Sequence, residues 1–421
     1  MRFCVAICSL FVLFIAVSGQ DKSATPNARK SVTVPATIDH NRVVIDVDVP
    51  LPDGSNQRVH AWVDNGNPEL VLSRHLATRL GLNVSCDDKE CSAPPPREIS
   101  IGGMTIPLAD VKKAEIPLRP VSAASVLAEG MNVEINIPST LLRHYDVLVD
   151  FPEHKFTIGQ SGSIHFLGVS AKVHITENGL IEVPSQIENK KYNLALDIGS
   201  SINFLSEEIF DQLAAKYTDW PRMSGAVGSA NMWGAADELK WKVMRLDRVE
   251  YGPLFLTNVA VVALPEAILD FFVKRAGMPT IGVLGSQALL NYRVGLDYAH
   301  STAYFDFGSF SNFPDFDVIG LVLRPEDDGR YTILGAADFE GKPSVPQGPD
   351  GVEPGDLLVA VGDIPVRGST MGQVWATLGG MPGQERKLTI ERGGKQFTVM
   401  ANVQHFLGET PDDQDKKKKK R

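Results

Sequence analysis

Apolar and polar residues alternate along this chain in short runs of period two, the signature of half-buried β-strands. Within Ser31 to Val49 the apolar positions include Val32, Val34, Val43, Ile45 and Val47. A second series, Val169 to Val183 and Lys191 to Leu196, has the same character. In each series a strand-like run ends in Asp, one further residue and Gly. The two endings are Ala61-Trp62-Val63-Asp64-Asn65-Gly66-Asn67 and Leu194-Ala195-Leu196-Asp197-Ile198-Gly199-Ser200-Ser201.

The correspondence runs on past each Asp in the same order, as an internal repeat requires. Leu70-Val71-Leu72-Ser73 enters a helix that Ser73 can cap, with Leu76 and Leu80 on one face. Phe204-Leu205-Ser206 enters another, with Glu207 and Glu208 in its first turn and Ile209 and Leu213 facing inward. Ile99 to Ile106 reads as a hairpin, and Val249 to Leu256 as its copy. Leu141-Leu142 ahead of Val147 to Phe151 answers Leu289-Leu290 ahead of Val294 to Tyr298. The second copy is longer in Trp220 to Ala236, a stretch rich in Gly, Ser, Ala and Trp that is either a flap over a cleft or an inert surface loop.

After Phe307 the character changes. Gly308 to Asp317 is a polar and aromatic connector, and Val318-Ile319-Gly320-Leu321-Val322 opens a third unit that ends near Val403. Gly351 to Asp363 reads as a turn feeding a buried strand, followed by an amphipathic helix through Met371, Val374 and Leu378 and a hairpin at Gly393-Gly394.

The ends differ from the body. Met1-Arg2, an apolar run from Phe3 to Val17 and the small residues Ser18 and Gly19 form the pattern of a cleaved secretory signal. The run is shorter than the roughly 20 apolar residues of a membrane-spanning helix. Export to a periplasmic or extracellular location is the expectation, with no integral membrane span after cleavage. Of four cysteines only Cys86 and Cys91 lie outside the signal, and they can close a local disulfide in an oxidising compartment. The net charge of −10 includes six positive charges in the terminal run Lys416 to Arg421, which leaves −16 on the rest. So acidic a body argues against nucleic acid as a partner.

The duplicated Asp-x-Gly units and their following helices resemble the retropepsin-like and pepsin-like aspartic peptidases, and the third unit resembles a PDZ domain. Together they resemble the bacterial secreted aspartyl protease family with two peptidase lobes and a C-terminal PDZ domain. The resemblance implies a mainly β fold of two retropepsin-like β-barrel lobes in a pepsin-like bilobal arrangement. It divides the chain into a signal peptide (1–19), two lobes (31–160 and 165–307), a PDZ domain (318–404) and a disordered basic tail (409–421). It also implies Asp64 and Asp197 as a catalytic pair acting on a polypeptide, with Asn65, Gly66, Ile198, Gly199 and Ser200 supporting their loops. Ile319, Gly320 and Leu321 would bind peptide C-termini.

Two carboxyls about 3 Å apart cannot both ionise, so one proton is shared and a water between them can be activated. Gly66 and Gly199 let the chain turn sharply next to the carboxylates, where a side chain would intrude. Yet Asn65 and Ile198 stand where the family has Thr or Ser, whose hydroxyl bonds across the pair of loops. Val283-Leu284-Gly285 matches the family's support for the second loop, whereas Glu134-Ile135-Asn136-Ile137-Pro138 lacks the Gly in the first. A catalytically degenerate peptide-binding protein on the same scaffold is therefore the alternative. Asn65-Gly66 is also a common hairpin-turn pair, which would make Asp64 a plain turn residue. No G-x-S-x-G, H-E-x-x-H or phosphate-loop motif occurs, the nine His are scattered, and neither a metal nor another cofactor is expected.

Overall fold

A computed structural model describes residues 30–87, 90–117, 133–276, 279–309, 315–326, 328–339 and 341–408. The expected signal peptide and basic tail lie outside the described residues.

The described chain is mainly β. At its centre is a six-stranded antiparallel sheet in the order Ser31–Pro35, Lys155–Gln160, Tyr145–Asp150, Tyr292–Asp297, Thr302–Phe307, Val169–Lys172. Three strands come from each half of the repeat, placed symmetrically about the seam. At that seam Val147 lies opposite Leu296, Leu148 opposite Gly295 and Val149 opposite Val294. One face carries Val147, Val149, Phe156, Ile158, Val294, Leu296, Ala303 and Phe305, all buried, so the period-two pattern is used directly. Arg293 ties the halves together by bonding Asp150 across the seam at 2.9 Å and Asp306 at 3.0 Å.

Each half builds the same device beside this sheet. The strand Asn56–Asp64 runs antiparallel to Arg42–Pro50 on one side and parallel to Val133–Pro138 on the other. Lys190–Asp197 likewise runs antiparallel to Ile181–Ile187 and parallel to Gly282–Gly285. Each Asp thus ends a strand clamped between two others, and Asn65-Gly66 does not close a two-residue hairpin. The helices Arg74–Arg79 and Glu207–Lys216 follow, capped by Ser73 and Ser206, whose hydroxyls accept from Leu76 N and Ile209 N.

The two hairpins also match in place. Gly102 and Gly252 both turn with φ of 53°, a left-handed conformation that suits glycine. A Cβ at Gly102 would lie 2.6 Å from Val32 Cγ2, and one at Gly252 would lie 2.9 Å from Ala171 Cβ. Each tip therefore presses on an outermost strand of the central sheet.

The third unit is a sheet in the order Leu321–Pro325, Tyr331–Ala336, Leu357–Val361, Glu385–Arg392, Lys395–Asn402, packed with the helix Met371–Leu378. Thr370 and Gln373 form a capping box at the start of this helix. The unit does not stand apart from the second half of the repeat. Leu321, Leu323, Ile333 and Val352 share one apolar cluster with Phe204, Met223, Trp241, Val243 and Leu264. Strand Arg222–Ser224 also pairs with Asp338–Phe339, so one sheet crosses the junction.

The parallel strand beneath Asp197 shows why glycine is needed at Gly285. A methyl group there would sit 2.1 Å from the Ile202 carbonyl oxygen, which is backbone and has nowhere to go. Gly285→Ala is expected to destabilise the protein by about 1–3 kcal/mol or more, measured by urea denaturation.

Candidate active site

Asp64 and Asp197 end their strands facing one another, and the glycine of each loop makes room for the opposite carboxyl. A Cβ on Gly66 would lie 2.1 Å from Asp197 Cγ, and a Cβ on Gly199 would lie 2.5 Å from Asp64 Oδ1. Neither glycine has a left-handed backbone. The constraint is close approach of a side chain, not φ.

The two loops are held together from one side. Asn65 Nδ2 donates to the Leu196 carbonyl at 2.8 Å, and Ile198 N donates to Asn65 Oδ1 at 2.7 Å. A single amide thus binds a donor and an acceptor of the opposite loop, while Ile198 is buried as an apolar plug. Ser286 Oγ donates to the Ile198 carbonyl at 2.8 Å, and Ser200 N to Asp197 Oδ1 at 3.2 Å. Beneath the first loop Pro138 occupies the register position opposite Asp64, where Gly285 stands opposite Asp197. Asn136 replaces the missing glycine support in another way. Its Oδ1 accepts from Val71 N at 2.7 Å, its Nδ2 donates to Glu69 O at 3.0 Å, and its side chain also bonds Asp64.

Electrostatics separates the two carboxyls. Burial raises Asp64 well above the usual carboxylate range, and the charge of Asp197 raises it further. Burial also pushes Asp197 up, to about 6, against the backbone N–H groups of Gly199, Ser200 and Gly66 that favour its charged form. Asp64 is 3% exposed, whereas Asp197 is partly open to solvent. Burial and mutual repulsion together keep one proton on the pair above the ordinary carboxylate range.

Arg42 is a residue that the sequence pattern did not flag. It is buried, and its guanidinium lies 5.6 Å from the Trp62 ring centroid. Nη2 donates to the Met232 carbonyl at 2.6 Å. Burial pushes its pKa down to about 10, opposed by the charges of Asp39, Glu238, Asp64 and Asp197. Its one sequence signal is a cation at the start of an apolar alternation, which by itself reads as a solvated strand end.

Trp220 to Ala236 is neither a flap nor an inert surface loop. Ala226, Val227, Gly228, Ser229, Ala230 and Asn231 are buried. Trp233 stacks on Phe204 at 5.6 Å between ring centroids, with Trp241 edge-on to both. The Gly, Ser and Ala composition that suggested mobility instead permits close packing: a Cβ on Gly228 would meet the Asp315 carbonyl oxygen at 2.1 Å.

In the third unit, Ile319-Gly320-Leu321 is itself buried. Ile319 N donates to Leu378 O at 3.0 Å and Leu321 N to Ile319 O at 2.8 Å, so two of the amides expected to receive a carboxylate already have partners. A Cβ on Gly320 would lie 1.9 Å from Ser344 Oγ, so a bulky residue there tests packing before it tests binding. Cys86 and Cys91 form a disulfide with their Cα atoms 4.0 Å apart. Among the described residues no three His, Cys, Asp or Glu side chains are grouped to hold a metal, and no helix is long and apolar enough to cross a membrane.

No protein-family model and no curated protein matches the sequence. Among solved structures, an aspartic proteinase from Irpex lacteus is similar over 68% of this chain and 99% of its own, at 12% identity and a TM-score of 0.39.

Two expectations follow. Asn65→Ala removes both cross-loop bonds to the Leu196 carbonyl and the Ile198 N–H at a buried position, so it should cost about 2–4 kcal/mol in urea denaturation, more than Asn65→Thr. Burial also pushes Glu238 to about 8 and Asp315 to about 6. These folded-state values lie above those of an unfolded chain, as does that of Asp197, so the native protein holds extra protons. Their contribution is complete below the ordinary carboxylate range and is lost as pH rises from that range to the folded-state values, about 6 for Asp197 and Asp315 and about 8 for Glu238. The urea midpoint should fall over that window, and Glu238→Gln should shrink the fall.

Proposed function

We propose that the protein is an aspartic-type endopeptidase that hydrolyses peptide bonds with a water held between Asp64 and Asp197. The observation that carries this reading is the exchange of space at the loops, where each carboxyl fills the position of the other loop's missing Cβ. Charged Asp197 takes a proton from the water as its oxygen attacks the scissile carbonyl carbon. Asp64 gives its proton to the carbonyl oxygen. Collapse of the tetrahedral intermediate then breaks the C–N bond, with a proton passing to the leaving nitrogen and the shared proton restored to the pair.

The third unit, in this reading, is a PDZ-like domain that takes peptide C-termini, its edge strand Leu321–Pro325 and helix Met371–Leu378 being the two walls of the groove. The Cys86–Cys91 disulfide supports an exported, periplasmic or extracellular protein.

One observation favours the alternative, a degenerate scaffold that binds peptide without cutting it. Asp64 is almost wholly enclosed, and its loop is gripped from one side only. Cleavage of casein by wild type, Asp64→Asn and Asp197→Asn at acidic and neutral pH separates the two. Each substitution should lower the rate by roughly 10²- to 10⁴-fold. Wild-type activity should extend above the ordinary carboxylate range, because burial raises both carboxyls, and decline once the pair loses its last proton. Equal rates in all three proteins would end the peptidase reading.

A further inference from the structure

Strand Leu321–Pro325 is the edge of the third unit's sheet, with a paired neighbour on one side only. Its outer side is not empty. Asn231 Nδ2 donates to Leu323 O at 2.9 Å, and Leu323 N donates to Asn231 Oδ1 at 3.0 Å. One side-chain amide thereby satisfies both backbone groups of Leu323, as a residue of an added strand would. Asn231 is 0% exposed.

The segment that carries Asn231 is anchored from every other direction. Ser229 gives its N–H and its hydroxyl to the Asp315 carboxylate, and its carbonyl accepts from Ser201 Oγ, next to the Asp197 loop, at 2.8 Å. The Asn231 carbonyl accepts from His40 Nε2 at 3.0 Å. The Met232 carbonyl accepts from Arg42, whose charge acts on both carboxyls of the pair. Glu238 accepts from Asn231 Nδ2 and from Trp233 N. These residues belong to both halves of the repeat, the connector and the third unit, and they meet at Ser229, Asn231, Met232 and Trp233.

We propose that Ser229–Met232 is a resident occupant of the third unit's peptide edge, so that an incoming peptide must displace Asn231 and, in doing so, frees Met232 from Arg42 beside the carboxylate pair. This rests on the reading of the third unit as a peptide-binding domain and adds its regulation: the binding site is closed in cis, and opening it is coupled to the candidate catalytic site. An added strand requires the Leu323 N–H and carbonyl, and both are engaged. Displacement is feasible because the occupant offers a side chain instead of a continuous strand, and among the described residues the bonds it makes to the edge are those of Asn231 to Leu323.

The test uses the full chain with Asp197→Asn, which prevents cleavage of the probe, and compares it with the same chain carrying Asn231→Ala. The probe is a library of fluorescein-labelled hexapeptides with free C-termini, followed by fluorescence anisotropy, with hydrogen exchange over Leu321–Pro325 measured in parallel. The Asn231→Ala chain should bind at least about tenfold more tightly and exchange faster at Leu323. Equal affinity in the two chains, or no binding by either once exchange has risen, would overturn the proposal. If Asn231→Ala does not fold, His40→Ala loosens the same segment from the opposite side and should give a smaller gain in both measurements; no gain in either also overturns it. Casein cleavage by wild type without peptide binding by any variant sinks this inference and spares the peptidase reading. Binding by the Asn231→Ala chain without cleavage by wild type does the reverse.

Discussion

Two carboxyl groups brought into the space of two absent side chains set the terms for the rest of this molecule. Asp64 and Asp197 repel one another when both are charged and lose hydration as they approach, so the fold must hold them there against a persistent force. Clamping each strand between an antiparallel and a parallel neighbour does part of this work. The two-sided Asn65 amide does the rest at the point of contact. A shared proton and the buried Arg42 cation reduce the charge that remains. The six-stranded sheet lies outside this contact but fixes the relation of the halves, because its seam joins like strands from each.

Much of this was legible in the residues because the apolar core face of the central sheet follows the period-two alternation, as at Val147 and Val149, Phe156 and Ile158, and Val294 and Leu296. The matching order of Asp, helix and hairpin also gave the duplication before any contact was known. Ser73 and Ser206 cap the helices that their positions predicted. What was not legible depends on residues distant in sequence. Asn65 looked like a poor substitute for a hydroxyl residue, yet its amide bonds both the Leu196 carbonyl and the Ile198 N–H of the opposite loop. Pro138 and Asn136 looked like a lost glycine support, but the strand is present and Asn136 bonds in its own way. Arg42 carried almost no local signal, since the groups that make it matter come from three other segments.

Trp220 to Ala236 exposes the weakness of reading composition alone. Small residues raise backbone freedom in an isolated loop, but they also allow backbone to pack against backbone, and only the surroundings decide which effect wins. Here the surroundings are the third unit's sheet and an aromatic cluster of Phe204, Trp233 and Trp241, and packing wins. The connector after Phe307 invites the view of a tethered module for the same reason. The shared apolar cluster and the sheet that crosses the junction join the third unit to the second half of the repeat.

That shared cluster has a consequence for biosynthesis. A chain emerging from the ribosome presents Phe204, Met223 and Val243 well before Leu321, Ile333 and Val352, so part of its interior must wait for residues made later. The second half cannot bury this face until the last hundred or so residues have arrived. Any hydrolytic capacity that needs both halves in register is thereby withheld from the nascent polypeptide, a delay written into the order of translation.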